Sequence, residues 1–239
     1  MCNRRDIDID NFHQSTASFR EYEEKCLRID VHQTNDVSLI FNTCNDESLL
    51  TNLQELVLDT LNVGDIKAFV PSKKDELTTS QRRFLMKLKL VLLSNDPDAF
   101  DPNCERFVDD LVNFLCEQVY LDDGLEMSVR PCQLRLTIGN QQFAATADKE
   151  GRRGQELIWL LQEDKHRGST SYKHGDLQLA CAMIAAIQRN YFRFETIKPK
   201  ERIVMHRFPK HGFSLANPTE RKEILKYMSV LQREALSII

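Results

Sequence analysis

Leu157-Ile158-Trp159-Leu160-Leu161-Gln162-Glu163-Asp164-Lys165 is the stretch on which the fold turns. Its first five residues are all apolar and are of strand length. A run without polar alternation suits a strand covered on both faces, so it is expected in the middle of a sheet. The run then passes directly into charge. Side chains alternate along a strand, which puts Glu163 and Lys165 on one face and Asp164 on the other. A carboxylate and an ammonium at the end of a buried strand are costly unless they are paired, hydrated or bound to a cation.

On the N-terminal side of this run lies a hairpin pattern. Leu134, Leu136 and Ile138 alternate with Arg135 and Thr137, and Gly139-Asn140 supplies a two-residue turn. Phe143, Ala145 and Ala147 then alternate with Ala144, Thr146 and Asp148, so Asp148 ends the second strand. Gly151-Arg152-Arg153-Gly154 predicts the next turn. Upstream, the spacing of Phe107, Val108, Leu111, Phe114, Leu115 and Val119 predicts a helix from Cys104 to about Tyr120, capped by Asn103. Downstream, Gly175 precedes a long apolar helix from Asp176 to about Tyr191. A sheet formed by residues 134–165 is therefore expected between these two helices.

Farther out, Ile203-Val204-Met205 reads as a further strand. Asn217-Pro218-Thr219-Glu220 opens a terminal helix as N-cap and first turn. Residues 1–45 mix charge with scattered aromatics and predict an irregular arm with a short strand near Val37–Asn42. A helical face from Leu49 to Leu61 ends near Gly64, a second amphipathic helix follows Thr79, and Asp96-Pro97 breaks the chain. The fold class is α/β (α+β), with a central mixed sheet flanked by helices. The expected organisation is an acidic, mainly helical extension over 1–98 and a core over 99–239.

The placement of charge suggests a chemistry. Two carboxylates from adjacent strands, Asp148 and Glu163, offer the hard oxygens that Mg2+ or Mn2+ requires while leaving room for water. A lysine beside them can orient an attacking water or stabilise charge developing on a phosphate. Asp148 followed by Glu163-Asp164-Lys165 resembles the motif of the PD-(D/E)XK, or restriction-endonuclease-like, superfamily. With the phrase Leu160-Leu161-Gln162-Glu163-Asp164-Lys165 and the Ala-rich helix after it, the chain looks like a fungal-type group of that superfamily. The similarity runs from about Glu105 to Tyr191. Ala147 stands where the motif name has proline.

The resemblance implies a nuclease that hydrolyses phosphodiester bonds with Mg2+ or Mn2+ held by Glu105, Asp148 and Glu163. It implies Lys165 as the group acting on water, Gln178 as a residue orienting a carboxylate or touching phosphate, and DNA rather than RNA as substrate. Each residue also has a purely structural reading. Asp148 could start a turn before Gly151, and Glu163 with Lys165 could be an exposed pair at a fraying strand end. Glu105 could be a favourable first-turn acid, and Gln178 a plain surface residue. The alternative function is a catalytically inactive relative acting as a protein- or nucleic-acid-binding module. A largely helical adaptor is a third reading.

Composition bounds these readings. The 239 residues are 41% hydrophobic and 28% charged, which fits a folded chain rather than a disordered one. No long apolar run predicts a membrane span or a signal peptide, so an intracellular protein, nuclear or cytoplasmic, without a membrane partner is expected. The seven cysteines are odd in number and lack a C-x-x-C pair, which predicts reduced thiols. The six histidines show no ligand spacing, and no Gly-rich phosphate loop is present. The net charge of -4 conceals an asymmetry: residues 149–211 carry 13 Lys/Arg against 7 Asp/Glu, whereas residues 1–148 carry 15 against 26. A basic stretch beside an acidic one suits a polyanion, or is simply a solvated surface. The acidic lobe and the terminal helix are the candidate surfaces for a protein partner.

Overall fold

The structure is a computed structural model. It describes residues 9–41, 50, 53–72, 76–96, 98, 104–119, 126–127, 131–154, 156–161, 175–190, 202–210 and 212–237. The chain is of mixed helix and strand content and divides into two compact units, neither of them a continuous stretch. One comprises 1–34 with 124–207, the other 35–123 with 208–239. The single boundary expected at 98/99 coincides with none of the three breaks, at 34/35, 123/124 and 207/208. No described helix is long and apolar enough to cross a membrane.

The first unit begins with what the sequence suggested was an irregular arm, and this is corrected in the structure. Helix α1 (Glu21–Leu27) leads into strand β1 (Ile29–Gln33), while Val37–Leu39, in the second unit and where a strand was expected, is a single 3-10 turn. Aromatic packing is the physical reason. Phe12 and Phe19 are buried and meet Phe143 with ring centroids 5.6 and 5.7 Å apart, which ties the arm into the core.

The expected hairpin is present, with its turn and its inward face. Strands β2 (Glu126–Met127), β3 (Cys132–Ile138) and β4 (Gln141–Ala147) follow in order, and β3 and β4 pair antiparallel with Ile138 opposite Gln141. Gly139 takes the positive φ of 57° that the two-residue turn needs. Leu134, Leu136, Ile138, Phe143, Ala145 and Ala147 are all buried.

Beyond the hairpin the chain departs from the sequence reading. Of the turn expected over Gly151–Gly154, residues 151–153 belong instead to strand β5 (Lys149–Arg153), while Gly154 has φ 57°. Strand β6 (Glu156–Leu161) pairs with β5, in a sheet of order β2-β5-β6. The charged strand β5 therefore holds the middle, and the apolar β6 lies at an edge among the described residues. Gly151 makes the irregular pairing feasible, since the register shifts between Gly151 and Arg152. Instead of one central mixed sheet, the described strands form three small ones: β2-β5-β6, β3-β4, and β1 paired in parallel with β7 (Ile203–Arg207).

Helix α6 (Gly175–Asn190) lies on β3 and β4 and also touches β1 and β6. Its Leu177, Ala180, Cys181, Ala182, Ile184 and Ala185 enter the core, and the small alanine and cysteine side chains allow close approach. Gln188 fixes the register of helix on sheet. Its Oε1 accepts from the Thr137 amide at 2.8 Å, and its Nε2 donates to the Thr137 carbonyl at 2.9 Å.

The second unit is helical. The expected helix from Leu49 to Leu61 is broken into α2 (Gln54–Val57) and α3 (Val63–Ala68), because Leu58 takes the left-handed conformation with φ 48°. Asn62 then caps α3 by accepting from the Gly64 and Asp65 amides, while Asp65 accepts from the Asn62 amide, so Gly64 lies inside a helix rather than ending one. Helix α4 (Thr79–Ser94) packs against α5 (Glu105–Gln118). The upstream helix expected to flank the sheet thus belongs to the other unit. Helix α7 (Pro218–Ser237) starts as expected, with Asn217 Oδ1 accepting from the Thr219 amide.

Candidate functional site around the β4–β5 bend

Strands β4 and β5 are nearly continuous and are separated only by a bend at Asp148. Asp148 is half-buried there, between buried Ala147 and buried Lys149. The antiparallel register of β5 and β6 sets Lys149 opposite Leu161 and Glu150 opposite Leu160. The C-terminal end of the apolar run therefore arrives beside the residue that follows Asp148. Glu163 and Lys165, with the rest of 162–174, lie outside the described residues.

The other two candidates fall in different units. Gln178 lies in the first turn of α6 and is half-buried in the same unit as Asp148. Asp176, two residues before it, accepts from Arg207 Nη1 at 2.9 Å, which ties the start of α6 to the end of β7. Glu105 is the first residue of α5 and so belongs to the second unit. Only its backbone is described.

A charged cluster that the sequence reading passed over lies on β5. Arg152 Nη2 donates to Glu150 Oε2 at 2.6 Å and comes within 3.9 Å of Cys132 Sγ. Burial would raise the Glu150 carboxyl, but the hydrogen bonds from Arg152 and the Cys132 thiol, with the charges of Arg152 and Arg189, hold it below the usual carboxylate range. Burial, and then the contact with Glu150, pushes the Cys132 thiol up to about 11, so it stays protonated and serves as a donor. The Arg152 guanidinium is raised by its bond to Glu150. The signal was visible in Lys149-Glu150-Gly151-Arg152-Arg153. A charged strand in the middle of a sheet must satisfy its charges internally or spend them on a ligand.

A Mg2+ or Mn2+ ion needs more than one carboxylate from the protein. Among the described residues no group of three or more His, Cys, Asp and Glu side chains is placed to hold a metal. Of the expected ligands Glu105, Asp148 and Glu163, only Asp148 has a described side chain, so the set cannot be assembled from these residues alone. What the bend provides is one hard oxygen donor at the point where β5 and the end of β6 meet. No match is found among protein-family models, curated proteins or solved structures.

Proposed function

We propose that the chain is a metal-dependent nuclease of the PD-(D/E)XK kind, hydrolysing phosphodiester bonds of nucleic acid, DNA in preference to RNA. The observation that carries this reading is the register of β5 on β6, which brings Leu161 opposite Lys149 and so leads the chain into Gln162-Glu163-Asp164-Lys165 from beside Asp148. The basic balance of residues 149–211 supports a polyanionic substrate, since it falls on the segment that contains the motif.

In this reading Asp148 and Glu163 would hold Mg2+ or Mn2+, with water completing the coordination. When bound, the ion acidifies a water and neutralises charge on the phosphate. Lys165 orients the attacking water and donates to a non-bridging phosphate oxygen, where negative charge accumulates as the new P–O bond forms and the leaving P–O bond breaks. Gln178, with two donors and one carbonyl acceptor, can orient a carboxylate or bind a phosphate oxygen. Glu150 takes no direct part, because Arg152 and Cys132 already occupy it.

Purified protein incubated with labelled single- and double-stranded DNA and RNA, with Mn2+ or with EDTA, tests the proposal. Mn2+-dependent cleavage that is lost in Asp148→Asn supports it. An inert parent that nevertheless binds nucleic acid would favour the inactive binding module instead.

A further inference from the structure

Two of the six histidines, which show no ligand spacing in the sequence, are brought together by the pairing of β1 with β7. His32 and His206 are direct register partners on adjacent parallel strands, 174 positions apart in the chain. Strand alternation decides which way they face. Ile29, Val31, Ile203 and Met205 pack into the core, so Asp30, His32, Val204 and His206 share the outer face, and both histidines are exposed. Their ring centroids lie 6.0 Å apart, with the planes at 83°.

The geometry points to a surface site for a late divalent transition metal such as Ni2+, Cu2+ or Zn2+, held by one imidazole nitrogen from each of His32 and His206. A metal lies about 2 Å from an imidazole nitrogen, and therefore roughly 3 Å from the ring centroid, so rings at this separation need only small side-chain rotations to share one ion. Two neutral imidazoles are soft enough to select these ions over Mg2+, which prefers carboxylate and water oxygens. Asp30, on the same face, accepts from Arg202 Nε and adds negative charge near the pair without serving as a ligand. The remaining coordination positions are left to water or an anion, so the ion is exchangeable. This site is independent of Asp148 and does not rest on the nuclease reading.

Calorimetric titration of the untagged full chain with Ni2+ tests the inference, using the parent, His32→Asn, His206→Asn, the double variant and Asp148→Asn. At the histidine pair one ion is expected to bind per parent chain, tenfold or more weakly in each single variant and not at all in the double variant, and this event is unchanged in Asp148→Asn; any Ni2+ taken up at the Asp148 carboxylate persists in the double variant and is lost in Asp148→Asn. Thermal unfolding without metal should be the same for all the histidine variants, because both side chains are exposed, and Ni2+ should raise the midpoint of the parent more than that of the double variant. A parent that binds no Ni2+, a double variant that binds like the parent, or loss from only one of the two single variants would overturn the site.

Discussion

Buried carboxylates in the first unit are held ionised by their donors, and this has a consequence for acid stability. Glu23 is buried, and although burial raises its carboxyl, the Arg20 amide at 2.8 Å, the His13 ring at 2.6 Å and the His13 amide together hold it below the ordinary carboxylate range. Glu150 is lowered in the same way. A folded-state value below the unfolded one contributes stability that is complete above the unfolded value, about 4.3, and is lost as pH falls through the folded value. Denaturant midpoints measured from pH 6 down to pH 2 should therefore fall below about pH 4, and Glu23→Gln should flatten that fall while lowering stability near neutrality. A slope unchanged in Glu23→Gln would show that Glu23 is not its source. At the proposed site, Glu163→Gln should abolish Mn2+ binding, whereas Lys165→Ala should keep it, as calorimetry can read. A structural pair at a strand end would leave both variants with parent-like binding.

At the scale of elements, the break between α2 and α3 is held by a single side chain. Arg221, fully buried at the start of α7, donates through Nη1 to the Val57 and Leu58 carbonyls, through Nη2 to those of Leu61 and Ala216, and through Nε to Leu215. These carbonyls include helix-end acceptors that the left-handed Leu58 leaves without a helical partner. Burial lowers the Arg221 pKa, yet the group remains a donor to five oxygens. Replacing it with methionine orphans several buried acceptors at about 1–3 kcal/mol each, so Arg221→Met should lose at least about 3 kcal/mol in urea unfolding. A loss under about 1 kcal/mol would mean that water or a rearranged chain satisfies these carbonyls. The same region shows where sequence periodicity fails. The apolar face of residues 49–61 is real, but a helical period cannot report a left-handed residue whose cost is offset by an arginine more than 160 positions later. By contrast, the β3–β4 hairpin was legible, because Gly139-Asn140 and strict alternation are local signals. Strand β5 was not, since its charges are made tolerable by the local Glu150–Arg152 pair together with the nonlocal contact to Cys132.

At the scale of the whole molecule, both units are assembled from separated stretches of chain. The first unit takes Phe12, Phe19, Leu27 and Ile29 from its N-terminal segment into the same core as Phe143 and Cys181. A fragment of residues 99–239 therefore lacks a substantial part of that core and should fail to fold, as circular dichroism and limited proteolysis would show. A fragment that unfolds cooperatively would restore the simpler picture of an extension and a core. The approach of β6 to the residue after Asp148 was legible, because Asp148, Glu163 and Lys165 stand at a spacing that suits adjacent strands. Their surroundings were only partly so, since the helix bearing Glu105 packs with α4 in the second unit. The central claim, that Asp148, Glu163 and Lys165 hydrolyse a phosphodiester, is tested most directly by single-turnover cleavage of labelled DNA with Mn2+ by the parent and by Lys165→Ala. The expected result is cutting by the parent that falls by about two or more orders of magnitude in the variant. Parent-like cleavage by Lys165→Ala, or a parent that does not cut, would contradict it.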